Sequence, residues 1–169
     1  MAEIAFADLP PTARFVLRGR PAAVDAAGTA LGFALPGVAC RAAGAGERAA
    51  LWLGPDEWLV LAPEAEGAAL AAALEAAMAA AAHSLVDVGH RQDGFVLRGS
   101  WAAVVLNAGC PLNLDPAAFP IGMCTRTVLA KAEIVLWRTG AEAFRVEAMR
   151  SFLPYVRGVL AEAAREFAA

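Results

Sequence analysis

Between Asp87 and Gln92 the chain reads Asp-Val-Gly-His-Arg-Gln, which places a carboxylate, an imidazole, a guanidinium and an amide within six residues. Paired donors of this kind can hold a carboxylate or a pterin-like ring. The same residues also suit a turn in which Asp87 and Arg91 satisfy backbone groups and each other. A second group is the four tryptophans, Trp52, Trp58, Trp101 and Trp137. They suit either a stacking platform or core packing. A third is Gly122 to Thr127, Gly-Met-Cys-Thr-Arg-Thr, where Arg126 lies close enough to Cys124 to lower a thiol pKa. No histidine adjoins it, and Val128 and Leu129 continue an apolar strand, so the stretch reads as structural and not as a catalytic cysteine.

Other chemistries lack their residues. The three cysteines, Cys40, Cys110 and Cys124, are widely spaced, no Cys-x-x-Cys occurs, and the only histidines are His83 and His90, too sparse for a metal site. The thiols are expected to be free and buried. No Gly-x-Ser-x-Gly, Walker loop or helix-opening Gly-x-Gly-x-x-Gly is present to activate a serine or cradle a phosphate.

Composition narrows the class further. The 169 residues suit one domain, or two small halves sharing a core. Of the chain 59% is hydrophobic, much of it alanine, and only 18% is charged. A chain this poor in charge either hides surface against a partner or reflects an alanine- and arginine-biased genome. The net charge is −3, and Lys131 is the only lysine. With no run of basic residues, nothing forms the electrostatic stripe a nucleic acid requires. Glu3 and Asp8 interrupt the start of the chain, with no apolar h-region, so a cytoplasmic location is expected. Residues 65–82 are the most apolar stretch, but Leu70, Leu74 and Met78 recur every four residues, as on the buried face of a soluble helix and not in a membrane span.

The elements that must position these residues come from an internal repeat. Phe15 to Val24 reads FVLRGRPAAV and Phe95 to Val104 reads FVLRGSWAAV, identical at eight of ten positions and offset by eighty residues (95 − 15). Leu51-Trp52 likewise corresponds to Leu136-Trp137. FVLRG suits a strand that ends in a turn at Gly19 or Gly99. Pro21 suits the first position of the following helix, and Ser100 suits the cap of its counterpart. Val24, Ala27 and Leu31 share one helical face, as do Val104, Val105 and Leu106 with Trp101. Hairpins are expected from 49–53 with 57–61 and from 132–138 with 143–148, and closing helices over 65–82 and 151–166. Residues 84–92 are expected to open the second half. The whole is an α+β fold: a duplicated strand-helix-hairpin-helix unit with a mostly antiparallel sheet, one domain of two halves, about 10–82 and 83–167.

Several long segments carry a family likeness. Leu53 to Leu61 (LGPDEWLVL), Ser84 to Gln92 (SLVDVGHRQ), Leu106 to Leu129 (LNAGCPLNLDPAAFPIGMCTRTVL), Ala132 to Arg138 (AEIVLWR) and Arg150 to Val156 (RSFLPYV) resemble the gamma subunits of heterotetrameric sarcosine oxidases. The resemblance implies a complex of alpha, beta, gamma and delta subunits that converts sarcosine to glycine and hydrogen peroxide. The one-carbon unit passes to tetrahydrofolate or is released as formaldehyde. It also implies FAD, FMN, NAD, tetrahydrofolate and zinc on the other subunits and no cofactor on this one. The alpha subunit is the chief expected partner.

A more distant likeness is to the folate-binding domain of aminomethyltransferases such as the glycine-cleavage T-protein. Val86 to His90 matches an Asp-x-Ser-His turn, with Gly89 in place of the serine. Gly99 to Leu106 matches the helix, and Gly122 to Leu129 the strand that follows. Where the T-protein has a glycine pair and an acidic pair, this chain has Ala130-Lys131-Ala132-Glu133, a departure that argues against folate catalysis. Two functions remain to be separated: a non-catalytic subunit bracing a folate-bearing partner, and a free-standing folate-binding or aminomethyltransferase-like protein acting through His90, Arg91 and Glu133. For the first, the candidate subunit interface is His90, Arg91, Gln92, Trp101, Arg150 and Tyr155, since tryptophan, tyrosine and arginine anchor interfaces.

Overall fold

The computed structural model describes residues 4–167, and the chain passes through one series of elements twice. The first pass is β1 (Ala5–Asp8), β2 (Thr12–Gly19), α1 (Pro21–Leu31), β3 (Ala42–Ala45), β4 (Arg48–Gly54), β5 (Glu57–Pro63) and α2 (Gly67–Met78). The second is β6 (His83–Asp87), β7 (Gln92–Arg98), α3 (Ala102–Asn107), β8 (Cys124–Leu129), β9 (Ala132–Gly140), β10 (Ala143–Met149) and α4 (Leu153–Ala164). Single 3-10 turns precede α2 and follow α4. The strands form two five-stranded antiparallel sheets, β3-β4-β5-β2-β6 and β1-β7-β10-β9-β8. The fold is α+β and antiparallel, as the repeat pattern requires.

Two of the four edge strands, β1 and β6, do not follow sequence proximity. β1 lies next to β2 in the chain yet pairs with β7, Phe6 opposite Leu97. β6 pairs with β2, Val16 opposite Val86. The segment from Ser84, expected to open the second half, therefore completes the first sheet. Leu85 packs against that sheet's core, and Val88 N–H donates to Arg14 C=O. The chain divides into two compact units: residues 10–90, and, among the described residues, 4–9 with 91–167.

Each unit packs two helices on one face of its sheet. In the first, Phe15, Leu17, Trp58 and Val60 meet Ala23, Ala27 and Leu31 of α1 and Leu70, Leu74 and Met78 of α2. Period-two strand positions thus face period-3.6 helix positions. In the second, Phe95, Leu97, Leu136, Phe144 and Val146 meet Val105, Leu106, Val156 and Leu160. Arg157 of α4 adds a bond to Asp8 of β1 and lies 4.7 Å over the Phe95 ring.

The two copies of the repeat part company at the corner between strand and helix. The strand positions correspond at the sequence offset of eighty: Phe15 and Phe95, Leu17 and Leu97 are all buried. Gly19 N–H donates to Asp56 C=O, and Gly99 N–H donates to Glu142 C=O. The buried helix positions correspond instead at an offset of seventy-nine: Ala23 with Ala102, Ala27 with Leu106, and Leu31 with Cys110 (102 − 23, 106 − 27, 110 − 31). Arg20 C=O accepts from Ala23 and Val24, whereas in the second copy Gly99 C=O accepts from Ala102 and Trp101 C=O from Val105. Gly99 lies in the corner between β7 and α3 at φ 130, a conformation open to glycine and not to side-chain-bearing residues. One residue of slip turns a helix by about 100°. Val24 packs on its core, whereas Val104, its sequence equivalent, is 48% exposed. The shared face expected of Val104, Val105, Leu106 and Trp101 is therefore split. Nor does Ser100 cap α3: Trp101 occupies the cap position, with no side-chain capping bond.

Candidate subunit interface

The six candidate residues fall in separate places. Arg91, Gln92 and Arg150 come together at one end of the second sheet, where β7 begins and β10 ends. Gln92 lies opposite Met149, and Arg150 N–H donates to Arg91 C=O at 2.9 Å. Arg91 and Arg150 are exposed, while Gln92 is partly covered and its Oε1 is buried with no hydrogen-bond partner. Trp101 stands beyond the other end of β7, about 20 Å away at roughly 3.3 Å per strand residue. It is 41% exposed, and its ring stacks on Phe167 at 5.0 Å between centroids. Tyr155 lies in the first turns of α4 and faces outward beside a shallow groove along that helix. His90 is exposed, at the end of the unit formed by residues 10–90.

The dense Asp87–Gln92 stretch is a turn. Asp87 Oδ1 accepts Gly89 N–H at 2.8 Å, and a Cβ on residue 89 would sit 3.1 Å from that oxygen. Asp87 bonds the backbone and makes no bond to Arg91, contrary to the mutual pairing the turn suggested.

The remaining candidates take structural places. Trp58 is buried, with Nε1 donating to Pro36 C=O at 2.9 Å, and Trp52 packs against the same core. Trp137 is partly buried on β9, its Nε1 without a partner. Cys110 and Cys124 are buried, whereas Cys40 is partly exposed and holds a left-handed backbone at φ 58. Glu133 is exposed on β9 opposite Val128. The Ala130-Lys131 turn before it is a two-residue hairpin loop in which Ala130 takes φ 51. The backbone conformation that favours glycine persists there without one.

The sequence reading missed the rest of the exposed apolar surface. Of nine large hydrophobic residues exposed among the described residues, seven lie between 91 and 167: Trp101, Val104, Ile121, Val128, Met149, Phe152 and Tyr155. Apolar exposure concentrated in this way marks interaction surfaces. Phe152 and Met149 adjoin the Arg91–Arg150 corner in sequence, a signal available in Arg150 to Val156. No three His, Cys, Asp or Glu side chains gather among the described residues, and none of the described helices is long and apolar enough to cross a membrane.

This architecture is similar to that of glycine cleavage system aminomethyltransferase T from Bartonella henselae. The TM-score is 0.74 over 94% of this chain and 45% of that one, and at 17% identity the likeness is one of fold alone. The class is therefore an aminomethyltransferase-like α+β fold. Within it, the chain belongs to the sarcosine oxidase gamma subunit family, whose model matches residues 18–166. The chain is 39% identical over 140 residues to sarcosine oxidase subunit gamma from Corynebacterium sp. (strain P-1), covering 82% of this chain and 68% of that protein. It is also similar to a chain in the structure of heterotetrameric sarcosine oxidase from Corynebacterium sp. U-96 in complex with pyrrole 2-carboxylate. There the TM-score is 0.92 at 32% identity, over 98% of this chain and 86% of that one.

Proposed function

We propose that the chain is a non-catalytic gamma subunit that braces the large, folate-bearing alpha subunit of a heterotetrameric sarcosine oxidase, with beta and delta subunits completing the complex. That complex oxidatively demethylates sarcosine to glycine and hydrogen peroxide. The one-carbon unit leaves as methylene-tetrahydrofolate or formaldehyde, and the flavins, NAD, folate and zinc sit on the other subunits. The observation that carries the reading is the likeness, along 98% of the chain, to a chain of a heterotetrameric sarcosine oxidase. The local chemistry supports the non-catalytic part. Asp87 is held by its own turn, Glu133 stands exposed on a strand, and a two-residue Ala-Lys loop replaces the acidic one.

The outward-facing Trp101 and the Arg91–Arg150 corner support an interface through the candidate residues. Truncating an aromatic or arginine anchor at such an interface costs upwards of about 2 kcal/mol, roughly thirtyfold in affinity. Trp101→Ala and Arg91→Ala are therefore expected to keep a cooperative thermal transition and to weaken assembly with the large subunits by about that factor, read by size-exclusion chromatography of co-expressed chains. Normal assembly of both variants would remove these residues from the interface. In parallel, titration of the isolated chain with tetrahydrofolate is expected to show no tight stoichiometric binding. Saturation at one equivalent would favour the free-standing folate-binding protein.

A further inference from the structure

A groove lies in the unit formed by residues 91–167. It holds about 870 Å³ between α3 and the segment from Leu114 to Ile121, and its near end is closed by the β9–β10 turn. Val104 of α3 and Ile121, 48% and 61% exposed, stand on its opposite walls, and Pro116 and Pro120 extend the apolar lining. Its two exposed charged residues, Asp115 and Glu142, are both acidic, and neither forms an ion pair with a described residue.

Arg138 makes the groove a preformed feature. It is 4% exposed, and its guanidinium donates to the carbonyls of Leu114 and Phe119 at 3.1 and 2.9 Å, as well as to Gly140 and Ala141. Its Cζ lies 5.0 Å over the Phe144 ring. One buried side chain thus ties the far wall to the β9–β10 turn, so a ligand that enters does not have to order that wall. The positive charge is buried behind carbonyls, while the negative charges stand at the rim.

The repeat supplies an internal comparison. In the first unit Val24, the sequence counterpart of Val104, packs on the core from an eleven-residue α1, and the helix position that matches Val104 (104 − 79) is held by the exposed Asp25. In the second, α3 has six residues, and its valine is presented to the outside. A core-type residue turned outward at a preformed, acid-rimmed groove has the chemistry of a docking site.

We propose that this groove receives a segment of a partner subunit that presents an apolar side chain flanked by arginine or lysine. The apolar residue seats between Val104 and Ile121, and the basic groups meet Asp115 and Glu142. This rests on the chain being a subunit of a larger complex and assigns that complex a docking point. Trp101, at the head of α3, borders the same region through Ser100.

The test uses the whole complex, co-expressed with tagged large subunits, with gamma retention measured at increasing salt. Val104→Asp and Glu142→Lys are both surface changes, and circular dichroism melts of the isolated variants check that they fold. Each is expected to lower apparent affinity about tenfold or more. Glu142→Gln is expected to weaken binding and flatten its salt dependence, and Val86→Asp, on the other unit, to bind as wild type. If Val104→Asp and Glu142→Lys assemble normally while wild type also assembles, the groove proposal falls and the subunit reading stands. If wild type itself fails to join the large subunits, the subunit reading falls. Tighter binding by Glu142→Lys would show an acidic partner and overturn the stated chemistry. A Val104-dependent homodimer of the isolated chain in sedimentation would overturn the occupant.

Discussion

His83 carries its chemistry in geometry. Nδ1 lies 2.8 Å from Ala81 C=O and Nε2 3.0 Å from a Glu75 carboxylate oxygen, so both ring nitrogens face acceptors. Only the imidazolium donates to both. The Ala81 carbonyl first, and the Glu75 side chain after it, raise the His83 pKa above its ordinary 6.5. A group whose folded pKa is raised adds stability that is fully present below the unfolded value and is lost as pH rises through the folded one. Wild type should therefore lose stability relative to His83→Gln as pH rises above the ordinary 6.5, as read by urea midpoints. A wild-type advantage that does not change with pH would mean that folding leaves the His83 pKa unshifted. No sequence signal pointed here, because Glu75 and His83 belong to different elements and only the packing of α2 beside β6 joins them. The exposure of Trp101 was legible, since its repeat counterpart is Pro21. Val104 was not, because an identical residue at the equivalent position faces the other way.

At the scale of elements, the corner before α3 decides what the second unit shows to the outside. Gly99 at φ 130 lies in that corner, after which the buried positions arrive one residue earlier than they do after Gly19. Gly99→Ala places a Cβ in a conformation that costs on the order of 1–3 kcal/mol. In a chain of this length that is several degrees of melting temperature. An unchanged melting curve would show that the corner does not depend on that backbone. The hairpins β4–β5 and β9–β10 were legible because Gly-Pro-Asp and Thr-Gly-Ala-Glu separate apolar strands. The helices α2 and α4 were legible from their apolar spacing, with ends displaced by about two to four residues. β1 and β3 were not, because four-residue edge strands carry too few residues for alternation to register. The pairing of β6 with β2 was hidden for another reason. Neighbours in sequence usually neighbour in space, and the edge strands β1 and β6 depart from that rule.

At the scale of the molecule, exposed apolar surface gathers in residues 91–167, where seven of the nine such side chains among the described residues lie. The most chemically dense stretch of sequence, by contrast, closes on itself as a turn. The exposed apolar side chains and the loop bonded to its own backbone support the proposed reading of a subunit that acts through assembly. The most direct measurement is size-exclusion chromatography with activity and visible absorbance followed across the fractions, for the four co-expressed subunits and for this chain alone. The account predicts that the chain co-elutes with sarcosine-oxidising, flavin-coloured fractions when its partners are present, and that alone it elutes at its own size, colourless and inactive. A yellow, active isolated chain would contradict it, as would a fully active complex from which the chain elutes separately.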